Sequence, residues 1–93
     1  MFQYEKGRIF MNSEDGRLLA EITFPALDAH SVDINHTFVD DSLRGQGIAG
    51  RLMQAAIDQI QSSGKKAYTS CSYASSWMEK HPAYHSMWLK QQP

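Results

Sequence analysis

Along the first third of the chain apolar and polar residues alternate with a period of two, and after position 47 the period lengthens to that of a helix. Residues 2–12 mix aromatic and branched side chains with Lys6, Gly7 and Arg8, which predicts a strand whose alternation is shifted by a bulge at Gly7. The turn formers NSEDG at 12–16 predict a hairpin into a second strand. There Leu18, Ala20, Ile22 and Phe24 share one face, Leu19, Glu21 and Thr23 take the other, and Pro25 ends the run. After a loop at 26–30, a third run places Val32, Ile34, His36 and Phe38 on one face and Asp33, Asn35 and Thr37 on the other, as in a half-buried strand. A turn at 40–43 follows.

From 47 to 62, Ile48, Leu52, Ala56 and Ile60 recur every four residues, and Ala49, Met53 and Ile57 widen the stripe. This face is expected to lie on the sheet. Gly64 is placed as a helix-ending glycine, with Lys65 and Lys66 at the negative end of the helix dipole. Residues 67–71 read as a fourth strand, and a right-handed crossover through the helix makes it parallel to the third. Two short helices, 74–80 and 83–89, are separated at Pro82. The pattern predicts an α/β (α+β) domain: antiparallel strands first, a central crossover helix, a parallel fourth strand and short C-terminal helices.

At 93 residues the chain has room for one domain, 1–93, and for one modest core. Hydrophobic content of 42% with 20% charged residues belongs to an ordinary globular protein, and a net charge of -1 with scattered basic residues argues against nucleic acid as a partner. No run approaches the roughly 18 apolar residues needed to cross a bilayer, and the polar start lacks a signal-peptide core. The lone Cys71 suits a reducing compartment, so the expected location is the cytoplasm, with no membrane partner.

The chemistry is concentrated in VDDSLRGQGIAGRLM, residues 39–53, where a glycine-spaced loop joins a strand to an amphipathic helix. The first N–H groups of a helix have no internal partners, and the dipole adds about half a positive charge there, which together favour an anion such as a pyrophosphate. Gly45, Gly47 and Gly50 leave the main chain open to approach, and Arg44 and Arg51 flank the loop with positive charge. Glycine in such a turn also serves purely steric ends. A Walker loop is excluded because Gly-Lys-Ser/Thr is absent. The three glycines do fit the spacing of a dinucleotide fingerprint, yet that motif follows the first strand of a parallel unit and wants an acid about 20 residues later, where this chain has TSCSY.

The segment Arg44-Gly45-Gln46-Gly47-Ile48-Ala49 resembles the Q/R-x-x-G-x-G/A signature with which GNAT acetyltransferases hold coenzyme A; Arg44, Gly47 and Ala49 stand at its defining positions. INHTFVDDSLRGQGIAGRLMQAAID and CSYASSWMEKHPAY extend the likeness over 34–84, to the very short GNAT-like proteins of about this length. The resemblance implies a GNAT-like fold, acetyl-coenzyme A (acetyl-CoA) as cofactor, and transfer of acetyl to a primary amine of a small molecule or peptide. It implies a cofactor-binding set of Arg44, Gly45, Gln46, Gly47, Ile48, Ala49, Gly50 and Arg51, with main-chain groups near Phe38 and Val39 on the pantetheine and acetyl carbonyl. A strand splayed from its parallel neighbour is expected to open the wedge.

Three side chains are candidates for catalysis. Cys71 at the end of the fourth strand is expected to accept acetyl or to lie beside the coenzyme thiol, the alternative being a buried small hydrophobe. His36 suits a general base, or else a core histidine. Tyr84, ahead of Tyr73, is the candidate acid for the departing thiolate, since GNAT enzymes often use a tyrosine near the last helix. His81 and His85 have metal-like spacing, but Pro82 breaks their alignment and no metal site is expected. Larger GNAT enzymes carry helices between their first strands, where this chain has only a turn. The acceptor site is therefore expected to be shallow, completed by another subunit, or absent. A monomer or weak homodimer is expected, and a non-catalytic coenzyme A module or a protein-interaction domain is the alternative to an enzyme.

Overall fold

The first reversal of the chain falls at Lys6 and Gly7. In the computed structural model of the protein, which describes residues 1–90, β1 (Gln3–Glu5) and β2 (Arg8–Asn12) pair antiparallel with Glu5 opposite Arg8. Only two residues are left for the turn, and Gly7 takes φ +76°, a conformation that favours glycine. The sequence pattern had placed a bulge within one long strand here; the bulge lies instead between Met11 and Asn12. β3 (Leu18–Thr23) adds antiparallel to β2 and sets Ile9 against Ile22, both fully buried. Such apolar cross-strand pairs fix the register, because a slip of one residue would turn them to solvent.

The third predicted run divides into β4 (Ser31–Asp33) and β5 (His36–Val39). Asn35 donates its amide to Thr23 O at 3.2 Å, while His36 is also the register partner of Thr23. Two residues therefore oppose one, which defines a β-bulge and reverses the facing of every side chain beyond it. Val32 and Ile34 point into the core. Past the bulge Thr37 and Val39 turn inward, and His36 and Phe38 turn out. The expectation that His36 and Phe38 share the face of Val32 and Ile34 fails for this reason: strict alternation assumes that no residue is inserted.

The same strand has a second neighbour, β6 (Lys66–Tyr68), parallel to β4 as the crossover rule requires. This seam is closed by Lys66 N to His30 O, Ile34 N to Tyr68 O and Cys71 N to Ile34 O, at 3.0, 2.9 and 3.1 Å. It stops at the bulge. β5 continues along β3 alone, as the outermost strand of the order β1-β2-β3-β5.

The crossover is α1 (Ile48–Ser62), which buries Ile48, Leu52, Met53, Ala56, Ile57 and Ile60 against the sheet. It ends in a Schellman arrangement, Lys65 N to Ile60 O and Gly64 N to Gln61 O. α2 (Ser72–Glu79) adds Ala74, Trp77 and Met78 to the same core. The second predicted C-terminal helix is a 3-10 segment, Pro82–Met87, after which Trp88 bridges to Ala67 and Leu89 N bonds Ala67 O. Its bonds are of the 3-10 kind, Tyr84 N to His81 O and Trp88 N to His85 O, and Pro82 at its start has no N–H with which to continue α2.

Two substitutions separate backbone from packing in this fold. Gly7→Ala must hold an L residue at positive φ with its Cβ 3.3 Å from Phe24 O, and is expected to cost about 1–3 kcal/mol. Ile57→Ala removes a fully buried side chain and is expected to cost about 2–5 kcal/mol. Urea denaturation read by circular dichroism measures both; an unchanged midpoint for either contradicts the account.

Candidate functional site

Between β5 and α1 the chain makes two tight reversals. Asp40 begins the first, a 3-10 turn at Asp41–Leu43, by accepting the Ser42 amide at 3.0 Å, and Arg17 binds the same carboxylate at 2.9 Å. Hydrogen bonds from Ser42, with Arg17 beside them, hold the Asp40 carboxyl below the ordinary carboxylate range. Gly47 makes the second reversal at φ +72° and stands as the N-cap of α1 with no side-chain cap. The amides of Ile48, Ala49 and Gly50 have no acceptor among the described residues. A Cβ built on Gly47 would meet nothing within 4 Å, so the space over these donors is open.

That space is a hollow of about 320 Å³ walled by Val39, Leu43, Gly45, Gly47, Ala49 and Tyr73, with Asp40, Arg44, Ile48 and Gly50 completing it. The residues expected to bind the cofactor fall on two sides of the loop. Arg44, Gly45, Gly47, Ile48, Ala49 and Gly50 line the hollow, while Gln46 and Arg51 line a separate groove next to β1. Arg44 is paired with Asp41 at 2.6 Å, both strongly exposed, which offsets part of its charge.

β5 supplies the wall on the sheet side. Phe38 is the register partner of Glu21 and Asp40 N bonds Leu19 O, so alternate residues from His36 onward direct their main-chain groups to β3. Those of Thr37 and Val39 point to the other edge, where no strand lies. Of the two main-chain positions expected from sequence, the structure brings Val39 to the open edge and turns Phe38 away; Thr37 was missed because the bulge that exposes it breaks no visible pattern.

Cys71 lies across the wedge from Thr37, with Sγ 3.5 Å from Thr37 Oγ1. It is half-buried and is the N-cap residue of α2, without a capping bond from its side chain. Two residues on, Tyr73 lines the hollow, its hydroxyl 3.8 Å from a Cβ position on Gly50. Burial, and secondarily the charge on Cys71, raises the Tyr73 phenol above its ordinary value. Tyr84, the tyrosine preferred from sequence, does not line this hollow. Its hydroxyl meets Gln54 Nε2 at 3.0 Å and its ring stacks on Trp77, because the Pro82 turn carries it back along the flank of α1.

His36 lies on the outer sheet face, half exposed, with Nε2 3.2 Å from Glu21 Oε1, and Arg8 Nε holds the other oxygen of that carboxylate at 2.6 Å. His81 Nδ1 and His85 Nε2 contact main-chain carbonyls at 2.6 and 2.7 Å. No group of three or more His, Cys, Asp or Glu able to hold a metal occurs among the described residues. No described helix is long and apolar enough to cross a membrane.

Residues 8–87 match the family model described as GCN5-related N-acetyl-transferase. Protein NATD1 from Xenopus tropicalis is 33% identical over 63 residues, 68% of this chain and 58% of that protein. Human Protein NATD1 is 39% identical over 51 residues, 55% of this chain and 45% of its own. The chain thus spans about half the length of the curated relatives it matches. Among solved structures, the solution structure of a GCN5-like protein from Staphylococcus aureus superposes with TM-score 0.80 at 28% identity, over 99% of this chain and 90% of that one. A GNAT family acetyltransferase from Elizabethkingia anophelis with acetyl-CoA bound gives TM-score 0.59 at 14% identity, over 83% and 51%, a likeness of fold.

The placement of Tyr73 generates a titration test. The folded chain binds the phenol proton more tightly than the unfolded chain does, so this contribution to stability is present below about pH 10 and is lost as pH rises through the folded-state value. In an alkaline absorbance titration, Tyr73→Phe is expected to remove a phenolate step that lies above pH 10. A missing step at or below that pH contradicts the assignment.

Proposed function

We propose that this chain, which belongs to the GCN5-related N-acetyltransferase family, binds acetyl-CoA at the start of α1 and transfers the acetyl group to a primary amine. The observation that carries the reading is the uncapped helix N-terminus, opening on a hollow that reaches Val39 on β5 and Tyr73 on α2. Unpaired donors over open space are the donor set a pyrophosphate requires. The amides of Ile48, Ala49 and Gly50, with those of Gly45 and Gly47, would hold it there.

Acetyl-CoA supplies an activated thioester when bound. The open-edge amides of Thr37 and Val39 are suited to donate to pantetheine and acetyl carbonyl oxygens, and an amide so aimed stabilises the oxyanion that forms as an amine attacks. The Tyr73 hydroxyl, held protonated well past neutral pH, can return a proton to the coenzyme sulfur. His36, oriented by Glu21 on the outer face, is the candidate to take the proton of an incoming ammonium. Cys71 offers a second route in which Sγ takes the acetyl group while its thiol proton passes by way of Tyr73 to the coenzyme sulfur; the amine then attacks the S-acetyl carbon, and its surplus proton returns to Sγ as the C–S bond breaks. Thr37 Oγ1 touches Sγ in either case.

A specific feature favours a second reading, a coenzyme A-binding module without turnover. β2 runs into β3 through the tight turn at 13–16, with Ser13 N bonding Arg17 O at 2.8 Å, and no helix there shapes an acceptor pocket. An exposed amine on a peptide or small molecule would meet only a shallow surface. The cytoplasm is the proposed location and a monomer or weak homodimer the proposed state.

Calorimetric titration with acetyl-CoA tests the binding on which both readings depend. Saturable binding is expected, with amide shifts grouped at residues 37–51 and near Cys71, and Gly47→Glu is expected to weaken it at least a hundredfold, since charge repulsion and a side chain then occupy the anion site. Unaltered affinity in that variant overturns the proposal. Intact-mass measurement after incubation with acetyl-CoA decides the route: an acetyl adduct lost in Cys71→Ser marks the covalent path, and turnover of an amine panel without any adduct marks direct attack. Binding with no acetyl loss to any tested amine favours the module.

A further inference from the structure

We infer that the 3′-phosphorylated adenosine of coenzyme A lies in the groove between α1 and β1, with Arg51 on the 3′-phosphate and the rings of Phe2 and Tyr4 against adenine; this rests on the acetyl-CoA reading above. The glycine loop is a ridge between two depressions. On one side Gly45, Gly47 and Gly50 face the hollow that leads to the open edge of β5. On the other, Gln46 and Arg51 face a groove of about 540 Å³ shared with Phe2, Tyr4 and Met11. Leu43 and Ile48 line both. A diphosphate seated on the ridge joins two dissimilar arms, a thin pantetheine chain and a flat base carrying a dianionic phosphate. The hollow reaches Val39 on the strand whose open edge carries Thr37, itself in contact with Cys71; with the thioester arm assigned to that side, the nucleotide arm is left for the groove.

The chemistry of the groove fits that arm. Three of the four arginines, Arg8, Arg17 and Arg44, are paired with carboxylates, and Arg51 has no such partner among the described residues. Its guanidinium carbon stands 5.6 Å from the centre of the Phe2 ring, leaving the planar donor fork available to a phosphate. The groove continues along the helix into a second depression that Phe2, Tyr4 and Arg51 also line; Asp58 stands there, its carboxylate accepting from Gln54 Nε2 at 3.0 Å. Tyr4, on the exposed edge strand β1, is 61% exposed and lines the groove beside Phe2. Stacking of a base on such a ring is tolerant of geometry and strong enough to matter for affinity.

Calorimetric titration of the full chain with coenzyme A, 3′-dephospho-coenzyme A and 4′-phosphopantetheine separates the arms. Wild type is expected to bind coenzyme A about tenfold more tightly than the dephospho form, as loss of one charge-assisted phosphate contact implies. Arg51→Gln should erase that ratio and leave dephospho-coenzyme A within about twofold, while Arg51→Lys keeps part of it. Tyr4→Ala should weaken both nucleotide forms about tenfold and leave 4′-phosphopantetheine unchanged. Both side chains are exposed, so the amide spectra of the variants should match wild type. A ratio that survives Arg51→Gln, or a Tyr4→Ala loss shared by all three ligands, overturns the inference alone; failure of wild type to bind any of them overturns the acetyl-CoA reading as well.

Discussion

The strand at residues 31–39 has to satisfy two neighbours that part company, and a single inserted residue lets it do so. Up to Ile34 its main-chain groups close the seam to β6 on one edge and reach Pro25 on the other. At Asn35 and His36 the bulge exchanges the two sets, so β3 remains paired while the groups of Thr37 and Val39 face a gap. Unpaired strand edges invite aggregation and are normally covered. Here the exposed stretch is short, flanked by the start of α2 and closed at its apex by Cys71 N on Ile34 O.

The helix answers the same geometry from above. Its apolar stripe fixes α1 on the sheet, and that anchoring determines where its N-terminus stops: at the mouth of the gap, with Gly47 as a cap that offers no side-chain acceptor. At the C-terminal end the carbonyls of Gln59, Ile60 and Gln61 accept from Ser63, Gly64 and Lys65, whereas the N-terminal amides are left open. The fold thus concentrates unsatisfied donors at one place. Asp40 and Arg17 steady the connection between strand and helix, so these donors are held before any ligand arrives.

Economy of length accounts for the unusual character of the remaining surface. With a tight turn in place of helices between β2 and β3, the outer sheet face carrying Arg8, Glu21, His36 and Phe38 is only partly covered. Catalytic candidates are correspondingly divided, Cys71 and Tyr73 on the wedge and His36 on the outer face.

Much of this was legible in the chain itself. The periodicity of Ile48, Leu52, Ala56 and Ile60 determined α1 and its buried face, Gly64 its end, the glycine spacing at 45–50 the sharp turns that lead into it, and the crossover rule the parallel seam, since each depends on neighbours within a few residues. Other features needed the assembled sheet. The turn at Lys6 and Gly7, the bulge after Asn35, the reversal of His36 and Phe38, and the replacement of Tyr84 by Tyr73 at the hollow are set by which strands and helices come together. Local patterns encode the facing of a side chain only as far as the register holds, and register across strands is decided by tertiary packing.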